Sequence, residues 1–231
     1  MLYSGKTRVM AGKIITIAQH KGGAGKTTIA AQLAAAFMKR GWRVATIDAD
    51  PQGSLTMWSV TRNHRLADAN TLTHVQATSW QVRREAERLS QENDIVIIDS
   101  PPHADSEASV AIRCADIVLV PAQPSALDIW AVKPTVNLIL REGKQGVVVM
   151  NRVVARSKLN EMICDKVAML DIPALSQCFG NRVAYATSII QGLGAVESEP
   201  YSPAALEVQA LMAEVCIRTG LKKQPREKKA A

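Results

Sequence analysis

An α/β fold is predicted: a single doubly wound, mainly parallel sheet with helices on both faces. Three observations predict it. Five short apolar runs recur along the chain, each opening at a polar residue and closing at a polar group or proline, which is how strands buried on both faces read. Segments of helical length and periodicity lie between them, the alternation of α/β proteins. The 231 residues are 47% hydrophobic but only 4% aromatic. The apolar content is mainly Ala, Val, Ile and Leu, which suits helices on a parallel sheet better than a β-sandwich.

The elements follow in order. The first run, 13–19, enters a glycine-rich turn at 20–28, and a strong helix former follows at 29–38. Gly41 stops that helix and the second run occupies 43–48. Residues 53–90 are the least regular part, rich in Thr, Asn, His and Arg, and settle into an amphipathic helix over 80–89. Runs at 94–99, 116–121 and 145–151 continue the series. A final helix is expected over 202–219, with Leu206, Leu211, Met212 and Val215 facing inward. No internal repeat divides the chain. One domain is expected over residues 13–219, with an extension at 1–12 and a basic tail at 220–231.

Composition excludes several classes. No run of eighteen apolar residues offers a membrane span, and the first nine residues lack the apolar centre of a signal peptide. Cys114, Cys164, Cys178 and Cys216 are scattered without Cys-x-x-Cys spacing, so buried thiols in a reducing cytoplasm are expected rather than a metal site or disulfides. The net charge of +7 is uneven: residues 218–231 carry +5, leaving +2 for the rest. A basic tail either solvates a terminus or is drawn to phosphate backbones or anionic lipid.

The stretch His20-Lys21-Gly22-Gly23-Ala24-Gly25-Lys26-Thr27-Thr28 carries the most chemistry. Strand, glycine-rich turn and helix form the setting of a phosphate-binding loop, since glycines let successive N–H groups curl around phosphate oxygens. Lys26 then reaches the β- and γ-phosphates, and the Thr27 hydroxyl ligates Mg²⁺. Two carboxylates, Asp48 and Asp50, close the second run inside Asp48-Ala-Asp-Pro-Gln-Gly53. Such a pair is costly in a core, so both are expected to face the phosphate cavity. Asp99 ends the run at 94–99 before Ser100-Pro-Pro102, the form of a Walker B carboxylate that holds Mg²⁺ through water.

His20 stands where an ordinary phosphate loop has its first glycine, and Lys21 is an extra cation. Lys21-Gly-Gly-Ala-Gly-Lys-Thr-Thr28 resembles the deviant Walker A box of the ParA/MinD ATPases, and Asp48-Ala-Asp-Pro-Gln-Gly53 resembles the ParA box that follows the second strand. Pro121-Ala-Gln-Pro-Ser-Ala-Leu-Asp128 is similar to a dimer-face segment of small ParA proteins, Met150-Asn151-Arg152 to their adenine-reading Asn-Arg, and Ser100-Pro-Pro102 to their second switch. Gly180-Asn-Arg182-Val-Ala-Tyr185, Gly192 and Val196-Glu197 resemble their C-terminal third. The likeness spans roughly residues 13–217.

That resemblance implies a cytoplasmic, nucleoid-associated ATPase using ATP and Mg²⁺. Two subunits close face to face on ATP, and Lys21 of each neutralises phosphate charge in the other. Lys26, with Gly22, Gly23, Ala24, Gly25, Thr27 and Thr28, cradles the phosphates. Thr27, Asp48 and Asp99 serve Mg²⁺, Asp50 orients or activates water, and Asn151 reads adenine. The closed dimer holds DNA non-specifically, with Arg182, Arg218, Lys222 and Lys223 as candidate contacts and Arg152, Arg156 and Lys158 as a second cluster. A ParB-like or cargo adaptor protein stimulates slow hydrolysis, and the cargo is a plasmid, a chromosome or a protein assembly. The alternative is a MinD-like, membrane-associated regulator. Its tail would need bulky apolar residues, whereas residues 221–231 hold one leucine and a proline, so no stable membrane anchor is expected. A scaffold for metal clusters would need paired cysteines that the chain lacks.

Overall fold

The computed structural model describes residues 11–66, 72–102, 105–155 and 158–222. β1 (Lys13–Ile17) leads through the glycine-rich turn into α1 (Lys26–Lys39) and β2 (Val44–Asp48). The alternation continues with α2 (Ser54–Arg65), β3 (Thr73–Gln76), α3 (Ser79–Glu92), β4 (Ile95–Asp99) and α4 (Asp105–Cys114). β5 (Ile117–Ala122), α5 (Ala126–Arg141) and β6 (Gly146–Met150) complete the sheet. α6 (Lys158–Ala168), α7 (Val183–Ile190), α8 (Ala195–Ser198) and α9 (Pro203–Thr219) follow.

The strand order is β3-β2-β4-β1-β5-β6 and every pairing is parallel. The chain therefore winds outward one way from β1 and then returns past it the other way, the doubly wound arrangement. Ligands in such sheets bind beyond the carboxyl ends of the strands, beside the switch in direction. A segment beyond β6 lies parallel to it, bridging Val148 to Ala174 and Val153 to Gly180.

Side chains alternate between the two faces with the period of two that strands impose. Ile15, Ile17, Ile95, Ile97, Ile117, Leu119, Val147 and Val149 face one way, onto α1, α2, α7, α8 and α9. Val118, Val120 and Val148 face the other way onto α4, α5 and α6, and Ala45, Ile47, Val96 and Ile98 onto α3 and α4. α1 is almost wholly buried through an alanine-rich surface, so it sits close against the sheet and fixes the loop at its N-terminus.

Several expectations need correction. Ahead of the expected helix, here α3, the irregular region holds two further elements, α2 and β3. β3 pairs on one edge only and presents an exposed, half-buried, half-buried, exposed pattern, so no apolar run announced it. Leu206 is 60% exposed. Nine residues separate it from buried Val215, which at about 100° per residue puts the two on opposite sides of α9. The cysteines are not uniformly buried: Cys164 is exposed and the other three are half-buried. Among the described residues no helix is long and apolar enough to cross a membrane.

Candidate nucleotide site

The glycine-rich turn sits at the carboxyl end of β1 and hands the chain to α1 at Gly25, whose φ of 101° is a left-handed value that side chains disfavour. A Cβ there would also fall 2.1 Å from Nδ2 of Asn151. Both reasons demand glycine. Two amides from neighbouring strand ends hold the loop by its carbonyls: Gln123 Nε2 donates to Gly23 O at 3.0 Å and Asn151 Nδ2 to Ala24 O at 2.8 Å. The first N–H groups of α1 have no partner within the helix, and they leave a positive end for an anion.

Lys26, only 7% exposed, lies inside this cradle. Burial pulls its ammonium below the ordinary lysine value, while Asp99 and Asp50 work against that fall. A buried cation between carboxylates suits polyanionic phosphate. The carboxylates arrive by register: β2 and β4 are neighbours, and Asp48 pairs with Asp99 across them. The two aspartates are 51 residues apart in sequence and side by side in the sheet.

Asp99 accepts the Thr27 hydroxyl on Oδ2 at 2.6 Å. Its Oδ1 is buried and, among the described residues, has no hydrogen-bond partner. Burial raises its pKa to about 7, helped by Asp48 and Asp50 and opposed by the Thr27 hydrogen bond and Lys26. A carboxylate oxygen buried without a donor is expensive unless a cation meets it. Asp48 is fully buried but well served: its Oδ1 accepts the Asp50 N–H at 3.1 Å, and its Oδ2 accepts both the N–H and the hydroxyl of Thr56 at 2.8 and 2.9 Å. Asp50 is half-buried and accepts the Gln52 N–H at 2.9 Å, closing a tight turn.

Among the described residues no three His, Cys, Asp or Glu side chains close a metal cage. The donors present are hard oxygens: Thr27 Oγ1, Asp48 and the unpartnered oxygen of Asp99. They fit Mg²⁺, which keeps waters and phosphate oxygens in its shell and uses few protein ligands.

Lys21 lies outside this cluster. Its Nζ donates to Asp128 Oδ2 at 2.7 Å, in the first turn of α5, and its side chain is 40% exposed while that of Asp128 is 5%. Ser125 caps α5 and donates its hydroxyl to the same oxygen at 2.5 Å. Asn151 is 4% exposed and braces the loop, and its Oδ1 accepts the N–H of Arg152, which sits at φ 55°.

The basic candidates are dispersed. Arg182 is bound to Glu207 at 2.5 Å and Arg218 to Glu214 at 3.1 Å, the two acids lying about 10 Å apart along α9. Lys222 is exposed, Lys223 and Arg156 lie outside the described residues, and of Lys158 only the backbone is described. Arg152 is exposed beside Asn151. Thr56, Gln123 and His74 support the site without having been singled out in the sequence. The threonine stands three residues past Gly53 and could have been found by its place after the aspartates; Gln123 lies inside the Pro121–Asp128 segment, whose pattern points to a dimer face and not to the loop, and His74 carries no motif.

Residues 15–179 match the family described as the CobQ/CobB/MinD/ParA nucleotide binding domain. Over 187 residues the chain is 32% identical to the maintenance of carboxysome distribution protein A of Halothiobacillus neapolitanus, covering 78% of this chain and 84% of that protein. In fold it is similar to the septum site-determining protein MinD of Pyrococcus horikoshii complexed with Mg-ADP, with a TM-score of 0.76 at 21% identity, covering 93% of this chain and all of the other. It is similar also to a Cyanothece McdA variant in complex with ATP, with a TM-score of 0.70 at 20% identity over 94% of this chain and 99% of that one. The chain belongs to the CobQ/CobB/MinD/ParA nucleotide-binding family, as a ParA-type ATPase.

Proposed function

We propose that this positioning ATPase closes on ATP as a face-to-face homodimer, holds non-specific DNA in that state and lets go after hydrolysis. A cargo engaged through an adaptor protein is thereby distributed over the nucleoid. The observation that carries this reading is the position of Lys21. Its own subunit's phosphate cradle is already served by Lys26, while Lys21 reaches outward to Asp128 and remains 40% exposed. Leu127 and Trp130, 67% and 62% exposed on the same helix, supply apolar surface beside it. A second subunit docked there would offer Lys21 a phosphate in exchange for Asp128.

Within each subunit the residues divide the work. Lys26 and the loop N–H groups hold the phosphates, Asp50 orients a water toward the terminal one, and Asn151 with Gln123 keeps the loop shaped for the nucleotide. Thr27, Asp48 and Asp99 would hold Mg²⁺, which neutralises phosphate charge when bound. Arg182, Arg218, Lys222 and Lys223 serve DNA, and each duplex phosphate neutralised adds about −0.9 to the slope of log affinity against log salt. Arg182 and Arg218 must exchange Glu207 and Glu214 for phosphate, so their contribution to affinity is reduced. The name of the Halothiobacillus relative favours a protein assembly as cargo; relatives named for plasmid and chromosome partition favour DNA.

The test is binding to unspecific duplex DNA with ATP, ADP or no nucleotide across a salt series, with mass measured in parallel. ATP-dependent dimer and DNA binding are expected, abolished in Lys21→Ala and retained or prolonged in Asp50→Ala. A monomer with ATP at low salt, or no ATP-dependent binding, would refute the reading.

A further inference from the structure

His74 lies in edge strand β3, behind the carboxylates, and the mechanism above leaves it without a task. Its ring is held between two threonines. Thr46, its register partner on β2, places Oγ1 2.8 Å from Nδ1. Thr56, in the first turn of α2, places Oγ1 3.0 Å from Nε2. The Thr56 hydroxyl has one hydrogen, and it points to Asp48 Oδ2 at 2.9 Å. At the contact with Nε2 the imidazole must therefore donate and the threonine accept. A neutral ring then has a bare Nδ1, which accepts from the Thr46 hydroxyl. Burial, working against Asp48, lowers the His74 pKa and favours this neutral ring. The hydrogen bonds thus run in one direction, from Thr46 through His74 and Thr56 to Asp48, whose other oxygen accepts the Asp50 N–H.

We propose that His74 is a positioning residue for ATP hydrolysis: its Nε2–H fixes the Thr56 hydroxyl, and so aims Asp48 and the backbone of Asp50 at the phosphate cavity. The inference rests on the reading of Asp48 and Asp50 as working carboxylates. Thr56 supplies both donors to Asp48 Oδ2. Without a donor at Nε2 its hydroxyl can rotate away, and Asp48 loses one of them. The same contact ties the start of α2 to β3, so the segment after Asp50 is held at its first turn. Thr56 is the partner one shell out from Asp48, where such a group is worth roughly 10–100-fold in metal affinity or activity; His74 acts one contact further out, so its effect is roughly tenfold or less.

Two replacements separate this role from packing. His74→Gln keeps an N–H donor at the reach of Nε2; His74→Asn keeps an amide only at the reach of Nδ1. For both, and for Asp48→Asn, three quantities are measured: half-saturating Mg²⁺ in fluorescent-nucleotide binding, kcat, and Tm. His74→Gln is expected within about twofold of the parent. His74→Asn is expected to shift half-saturating Mg²⁺ and kcat by roughly 3–10-fold in the direction of Asp48→Asn. NMR of the histidine ring nitrogens in the unaltered protein should show the Nε2–H tautomer. Equal impairment of both His74 variants with a matching fall in Tm means a packing role and overturns the proposal. So does a normal His74→Asn beside an impaired Asp48→Asn, or the Nδ1–H tautomer. A normal Asp48→Asn overturns it at its premise, through the reading of the carboxylate rather than of the histidine.

Discussion

Asp99, buried, and Glu197, half-buried against a buried arginine, are carboxylates that the fold treats in opposite ways. Glu197, in α8, has every oxygen served: Arg62 donates to Oε1 at 2.7 Å and to Oε2 at 2.8 Å, and the Gly194 N–H donates to Oε2 at 2.9 Å. Arg62 also reaches Gly192 O at 3.1 Å and lies 5.5 Å from the Trp58 ring centroid. Within that pair only Arg62 Nε lacks a partner. Asp99 has one hydrogen bond and an oxygen left buried without any. A carboxylate neutralised by a buried guanidinium belongs to the scaffold; one left with an oxygen that no donor or cation meets marks where a ligand completes the structure. The first kind holds α2 to the turn between α7 and α8, and the second faces the phosphate loop.

The largest effect should come from opening the closed pair. Glu197→Ala leaves the Arg62 guanidinium, with a side chain 2% exposed, buried without its counter-ion. Denaturant titration should show a loss of about 3–5 kcal/mol. Replacing both groups, Arg62→Met with Glu197→Leu, should recover most of it, because the penalty lies in the orphaned charge. A loss of under about 1 kcal/mol in Glu197→Ala would dissolve the contrast with Asp99.

Asp99→Asn should act in the reverse sense. Hydrolysis falls, on the order of 10–100-fold for a group serving Mg²⁺ through water. The nucleotide-free, chelator-treated protein should nevertheless gain stability, on the order of 1–2 kcal/mol, as a neutral amide replaces an unserved charge. The sign with pH follows from the raised pKa of about 7. Between the ordinary carboxyl value and 7 the folded form holds a proton that the unfolded form has lost, so Asp99 costs progressively more stability as pH rises through that window. The advantage of the variant should therefore be larger at pH 8 than at pH 5. An equal advantage at both would mean that Asp99 is not carrying an unserved charge.

The same contrast explains what could be read from the residues alone. Lys26, Thr27, Asp48, Asp50 and Asp99 stand in short motifs because backbone geometry at a strand end dictates local spacing. Five of the six strands announce themselves because both faces are buried. β3 does not: an edge strand with only Val75 packed against the core carries no period worth reading. Nor does the Arg62–Glu197 pair, whose members are 135 residues apart and meet only because α7 and α8 fold back onto α2. His74 is illegible for the same reason, since its task depends on a strand register and a helix start that no local pattern encodes. Leu206 shows the converse error, an apolar residue assigned to the core by type when its angular position on α9 points it outward.

The smallest effect concerns Glu207, where three donors converge: the Gly180 N–H at 2.9 Å, Arg182 at 2.5 Å and the Tyr185 hydroxyl at 2.5 Å. Burial pushes its carboxyl up, but these hydrogen bonds together outweigh burial and hold it below the ordinary glutamate range. Tyr185 is pushed well above the usual phenol value by burial and by Glu207, so it remains a donor at any working pH. A depressed carboxyl pKa contributes stability that is fully present above the unfolded value, about 4.3, and is lost as pH falls through the folded one. Acid unfolding of Glu207→Gln against the parent should therefore show a constant difference from pH 7 to about 5 that shrinks below about 4. A difference that grows on acidification would place Glu207 among the unserved carboxylates. The variant also bears on Arg182: freed from its ion pair, the guanidinium becomes available to phosphate. ATP-dependent DNA affinity at low salt should then rise modestly, with no change in hydrolysis. Unchanged affinity would remove Arg182 from the DNA face and leave it as a clasp between α7 and α9.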